Sequence, residues 1–123
     1  MIVDDYDPAI RFFVDVLDFE LVEDSPATST HTGQLKRWVV VRPRGAATGL
    51  LLARADGDTQ RAAIGEQFAG RVGLFLRVDD FDAALAKLRA ANVEIVTPPR
   101  SEPYGRVCVF RDIAGNRWDL LGA

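Results

Sequence analysis

Apolar residues set a helix early in the chain and strands after it. Ile10, Phe13, Val14 and Leu17 recur at helical spacing and predict one buried stripe, with Phe12 and Val16 lying off it. Ahead of them, Val3-Asp4-Asp5-Tyr6-Asp7-Pro8 opens the helix: aspartates collect where the positive end of the dipole will be, and Pro8 is tolerated in a first turn. Phe19-Glu20-Leu21-Val22 alternates and predicts a strand, and Glu23 to Gly33 reads as a Ser/Thr-rich loop. Trp38-Val39-Val40-Val41 is a β-rich run, Arg42 to Gly49 a turn bearing Pro and Gly, and Leu50-Leu51-Leu52 the returning strand.

The same order then recurs. Val78-Asp79-Asp80-Phe81-Asp82-Ala83-Ala84-Leu85 matches Val3-Asp4-Asp5-Tyr6-Asp7-Pro8-Ala9-Ile10, and Val93-Glu94-Ile95-Val96 matches Phe19-Glu20-Leu21-Val22. Gly105 to Phe110 stands against the Trp38 strand, and the strand holding Asp119 against Leu50-Leu51-Leu52. Between the copies, Gly57, Gly65 and Gly70 interrupt the pattern. The expected organisation is one domain: module one over 1–55, a linker over 56–70 and module two over 71–123. A full strand, Val72 to Val78, precedes the second helix, whereas Met1-Ile2-Val3 corresponds only to its last three residues. Copy one therefore has a short edge strand, or residues upstream of Met1 are missing.

The stretch Gly115-Asn116-Arg117-Trp118-Asp119-Leu120-Leu121 reads as a tight turn feeding a strand, with Arg117, Asp119 and Leu121 on one face. Preceded by Phe110-Arg111-Asp112-Ile113-Ala114, it resembles the closing strand of the vicinal oxygen chelate superfamily of glyoxalases, bleomycin resistance proteins and extradiol dioxygenases. The resemblance implies an α+β fold of two βαβββ modules forming a cupped mixed sheet with helices outside. It also implies metal-ligand positions on the first and last strand of each module. Carried over, these fall at Asp119, Leu51 and Gly73, the fourth lying before Met1. Only Asp119 can donate. An iron site of the dioxygenase kind needs two histidines and a carboxylate, and this chain has a single histidine, His31. The expectation is no metal ligand set and no cofactor.

Strand parity places Phe75 and Arg77 with Gly73 on the cavity side, together with Asp119 and Arg117. Trp38, Tyr104 and Arg106 join them as candidate ligand contacts, giving an apolar and aromatic pocket with a few charges. An arginine, Arg77, Arg117 or Arg106, is expected to pair with Asp119. A net charge of -3 argues against nucleic acid or an anionic membrane as partner. Cys108, the only cysteine, reads as a buried small hydrophobe. His31 reads as a solvated loop residue, and Lys36, Arg37, Arg42 and Arg44 as charges blunting a sheet edge. With no apolar run near bilayer length and no basic segment leading an apolar one, the expected location is cytoplasmic. The function this supports is a metal-independent small-molecule-binding protein, a homodimer resembling the bleomycin resistance type. The alternative is a metal-dependent lyase, isomerase or dioxygenase of the same superfamily.

Overall fold

Each half of the chain runs from a strand into an aspartate, and each aspartate starts a helix. Asp5 accepts the Tyr6 amide at 2.8 Å and Asp80 the Ala83 amide at 3.0 Å, each satisfying a donor that the first helical turn leaves open. A computed structural model describes residues 1–30 and 32–123 as two units, Met1–Ile64 and Gly65–Ala123. The reading of His31 falls outside the described residues. The first unit comprises β1 (Ile2–Val3), α1 (Tyr6–Arg11), β2 (Phe19–Thr28), β3 (Leu35–Pro43), β4 (Leu50–Arg54) and α2 (Gly57–Ala63). The second comprises β5 (Val72–Val78), α3 (Phe81–Ala90), β6 (Ile95–Glu102), β7 (Gly105–Arg111) and β8 (Arg117–Gly122).

The fold is α+β, two βαβββ modules as expected, and each module carries a four-stranded mixed sheet with the same topology. The strand orders are β1-β4-β3-β2 and β5-β8-β7-β6. In each, the strand before the helix pairs in parallel with the last strand and the others pair antiparallel. A parallel partner needs a crossover, and the helix provides it. Among the described residues no helix is long and apolar enough to cross a membrane.

In the first unit the core is Val3, Tyr6, Ala9, Phe12, Phe13, Phe19, Val39, Val41 and Leu52. Phe12 corrects the stripe read from periodicity. After Arg11 the helix widens into a π turn over Phe12–Val16, closed by the Leu17 amide donating to the Phe12 carbonyl at 3.2 Å. The wider turn brings the neighbours Phe12 and Phe13 both to the buried side, their rings edge-on with centroids 5.4 Å apart. Ile10, Val14 and Leu17 are only half-buried.

A second correction concerns Glu23 to Thr28, which continue β2 rather than forming a loop. They pair with β3 as far as Thr28 opposite Leu35. Pro26 is tolerated there because β2 is the edge of its sheet, where one row of amides has no ladder to complete. The basic residues read as blunting a sheet edge, Lys36, Arg37, Arg42 and Arg44, lie on or just after β3, an interior strand, and three of them are ion-paired: Arg37 with Asp7 and Asp24, Arg42 with Glu20, and Arg44 with Asp18.

In the second unit Phe81, Leu85 and Leu88 form the buried stripe of α3 against Leu76, Cys108, Phe110, Trp118 and Leu120. Phe110 and Trp118 face each other across the β7–β8 ladder, their rings stacked at 5.9 Å. Asn92, in the left-handed conformation at φ 57°, follows the last turn of α3 and stops it.

Candidate functional site

The closing hairpin of the second unit is built on Asp112, a residue the sequence reading passed over in favour of the Gly115–Leu121 stretch beyond it. Asp112 is 6% exposed, and its carboxylate accepts four hydrogen bonds. Oδ1 takes the Ala114 and Asn116 amides, each at 2.9 Å. Oδ2 takes Asn116 Nδ2 at 3.3 Å and Trp118 Nε1 at 2.8 Å. The turn, the entry to β8 and the indole buried beneath it are thus fixed by one side chain. The available signal was an aspartate three residues ahead of Gly-Asn, a side-chain-bonded turn.

With β8 so held, its register against β5 sets the two faces of the sheet. Leu76 lies beside Leu120, both buried towards α3, while Phe75 lies beside Asp119 and Arg77 beside Leu121 on the other face. Phe75 is 71% exposed, a large apolar ring in solvent. Asp119 is half-buried, and its carboxylate makes no hydrogen bond or ion pair among the described residues. The arginine partner expected for it is therefore absent, and each candidate has a different position. Arg117 donates to the Gly70 carbonyl at 2.7 Å. Arg106 turns to the opposite face, where it pairs with Asp82 and lies 4.5 Å from the Phe81 ring centroid; its placement beside Asp119 is corrected accordingly. The cause is register: Arg106 pairs with Gly122 and Val109 with Asp119, so Arg106 and Asp119 fall on opposite faces. Arg77 is exposed and unpaired among the described residues. Tyr104, 59% exposed in the turn between β6 and β7, interacts with Arg100. Asp119→Asn should consequently leave the denaturation midpoint almost unchanged, within about 0.5 kcal/mol, in urea titrations of the two proteins.

The positions carried over as metal ligands do not form a donor set. An added Cβ at Gly73 would lie 2.2 to 2.4 Å from three atoms of the Phe68 ring, so the ring occupies the space a ligand side chain would need. Gly73 sits in a bulge between Val72 and Leu74, which lets the ring settle against bare backbone. Leu51 is apolar and partly exposed. Among the described residues there is no group of three or more His, Cys, Asp or Glu placed to hold a metal ion. The residues present do not fit the group that the fold family implies.

A cavity of about 410 Å³ opens in the first unit, where β3 and β4 diverge. Their ladder runs from Val41 opposite Leu50 to Val39 opposite Leu52, and beyond Leu52 strand β4 is paired with β1 alone. The Arg37 amide, which a continued ladder would have satisfied, donates instead to Tyr6 Oη at 3.2 Å. Tyr6 is 3% exposed, and guanidinium carbons of Arg37 and Arg54 stand 5.1 and 5.3 Å from its ring centroid. Trp38, 44% exposed, lines the cavity with Leu35 and Leu51. Arg37 is committed to carboxylates: Nε and Nη2 hold Asp24 at 3.0 and 2.6 Å, and Nη1 holds Asp7 at 2.8 Å. Those bonds raise the Arg37 guanidinium above its ordinary value and hold the Asp24 carboxyl below the usual carboxylate range.

Cys108 is fully buried, and burial pushes its thiol up, Arg89 opposing and Asp119 adding to the shift. A protonated, enclosed thiol is a poor nucleophile. Native protein should release no thiol signal with Ellman's reagent over minutes, and close to one per chain in denaturant.

Comparison with known proteins follows the fold and the site. The family model that matches residues 1–120 is described as Glyoxalase/Bleomycin resistance protein/Dioxygenase superfamily. A protein of Shewanella frigidimarina (strain NCIMB 400), named only "Uncharacterized protein", is 46% identical over 122 residues, covering 98% of this chain and 87% of that one. The crystal structure of UcmS2 superposes with a TM-score of 0.76 at 30% identity, covering 98% of this chain and 92% of that one. TnmS3, an antibiotic binding protein from Streptomyces sp. CB03234, superposes with a TM-score of 0.70 at 33% identity, covering 99% and 91%.

Proposed function

Because the chain belongs to the glyoxalase/bleomycin resistance protein/dioxygenase superfamily, we propose that it is a metal-independent member that binds a small organic molecule. The observation that carries this reading is the Phe68 ring against Gly73: a first-strand ligand position of the superfamily is filled by an aromatic side chain. Removing the donors leaves a fold whose remaining endowment is apolar and aromatic surface with scattered charge, which is the composition of small-molecule sites. In the second unit the proposed contacts are Phe75, Arg77 and Asp119, which share a face and are tied to no ion pair among the described residues. In the first unit Trp38 is the proposed contact, at the wall of the cavity. Arg106, Arg117 and Tyr104 make the contacts described above and act in this reading as scaffold. The likeness to TnmS3 supports an antibiotic-like ligand class. The reading also takes the protein as a homodimer.

Tryptophan fluorescence tests it, because the two indoles are unequal: Trp38 is 44% and Trp118 3% exposed. Titration with a panel of planar aromatic antibiotics should give saturable quenching with at least one compound. Trp38→Phe should remove most of that quenching. No saturable quenching by any compound, together with about one zinc, iron, nickel or manganese per chain retained through gel filtration, would overturn the reading in favour of a metal-dependent enzyme.

A further inference from the structure

We propose that the cavity of the first unit is a binding site for an organic monocarboxylate, with Arg54 taking the carboxylate. The proposal names a ligand class for the small-molecule function above and rests on it. The cavity wall is asymmetric. Two arginines flank the Tyr6 ring at similar distances, yet Arg37 spends three nitrogens on Asp7 and Asp24 whereas Arg54 meets no carboxylate and no carbonyl among the described residues. Arg37 is a structural clamp, and Arg54 keeps its whole donor fork. That fork matches a carboxylate in two parallel hydrogen bonds.

The surroundings favour an anion of charge one. Lys36 and Arg54 line the cavity without an ion pair among the described residues, and the lining carries one acid, Asp56. Arg37 with its two carboxylates carries -1, and Lys36, Arg54 and Asp56 together carry +1, so the surroundings are neutral overall and a monoanion on Arg54 meets less repulsion there than a dianion would. The neutral groups point the same way. Tyr6 Oη accepts the Arg37 amide, and Gln60 Oε1 accepts the Asp56 amide at 2.8 Å, so both groups are held in place while the hydroxyl hydrogen and the Gln60 amide hydrogens stay available as donors to a ligand. A volume of about 410 Å³ takes a molecule of drug size.

Calorimetric titration of the full chain with 2-naphthoate, 2-naphthylmethanol and 2-naphthyl phosphate tests this. Naphthoate should bind about tenfold more tightly than the uncharged alcohol and more tightly than the phosphate dianion. Arg54→Gln should erase the advantage of naphthoate over the alcohol, read as the ratio of the two affinities measured on the variant itself, with at most a small fall in thermal midpoint from the lost contact with the Tyr6 ring. Arg71→Gln, an exposed arginine of the second unit, should change nothing. Equal binding of naphthoate and alcohol, tighter binding of the phosphate, an unchanged preference in Arg54→Gln, or no binding of naphthoate would each overturn the assignment. The first three leave small-molecule binding itself standing, and after the fourth the fluorescence panel still decides that reading separately.

Discussion

Replacing Asp112 by alanine should lower the free energy of unfolding by about 3 kcal/mol or more, the largest loss expected from any single polar substitution in this chain. The carboxylate serves four donors in a buried turn, and alanine would leave them facing no acceptor. A hydrogen bond to a charged group contributes about 1.5 to 3 kcal/mol, and orphaned buried donors add their own desolvation cost. The losses do not sum, because the turn can relax and admit water. Asp112→Asn is the sharper test. Asparagine keeps the shape but offers one oxygen, so its amide nitrogen must face either the two backbone amides or the Asn116 and Trp118 donors. It should cost about 2 kcal/mol, and the Trp118 emission maximum moves red only if the amide nitrogen faces the indole rather than the backbone amides. Urea titrations of the three proteins decide the matter: a loss below 1 kcal/mol for the alanine variant would mean the hairpin is held by its ladder alone.

That turn also marks how far the sequence was legible. The repeat exposed both modules, since aspartates ahead of each helix and the returning apolar strands are local signals, read within a few residues. The end of β2 was not local. Glu23 to Thr28 carry Ser, Thr, Pro and acid, a loop composition, and become a strand only because Leu35 to Val40 lie alongside. Phe12 was misread for a related reason: periodicity assumes a constant turn, and a π turn breaks it. At the site, the apolar ligand positions were visible as Leu51 and Gly73, whereas Phe68 lay in what read as linker. Its contact with Gly73 crosses a turn that composition does not encode. Parity placed Phe75 and Asp119 on one face, but parity cannot say which arginine points at which carboxylate. Arg106 was lost to Asp82 through the register of the hairpin, a fact of tertiary pairing.

The pair Gly73 and Phe68 supplies the second large effect, and its sign depends on the background. Gly73 has no left-handed φ, so alanine is compatible with its backbone, and the whole penalty of Gly73→Ala comes from the ring 2.2 Å from the new Cβ. The contacted atoms are Cγ, Cδ1 and Cδ2, the root of the ring rather than its tip, so the side chain must leave its place. Forcing such a rearrangement costs about 1 to 3 kcal/mol. In a Phe68→Ala background the obstruction is gone, and the same substitution should become neutral or stabilise by about 0.5 kcal/mol, the ordinary gain of alanine over glycine within a strand. A double-mutant cycle by urea denaturation therefore has a coupling of opposite sign to the single effect, and additive losses would show that Phe68 does not hold that position in solution. The cycle extends to chemistry. Gly73→His with Phe68→Ala frees one ligand position and fills it, adding a histidine on β5 two residues before Phe75, the residue opposite Asp119. Two donors bind a divalent ion weakly against the four that structural zinc sites use. The double variant should regain stability relative to Gly73→His alone and still elute from gel filtration without stoichiometric metal, because clearing the ring removes an obstacle without completing the donor set.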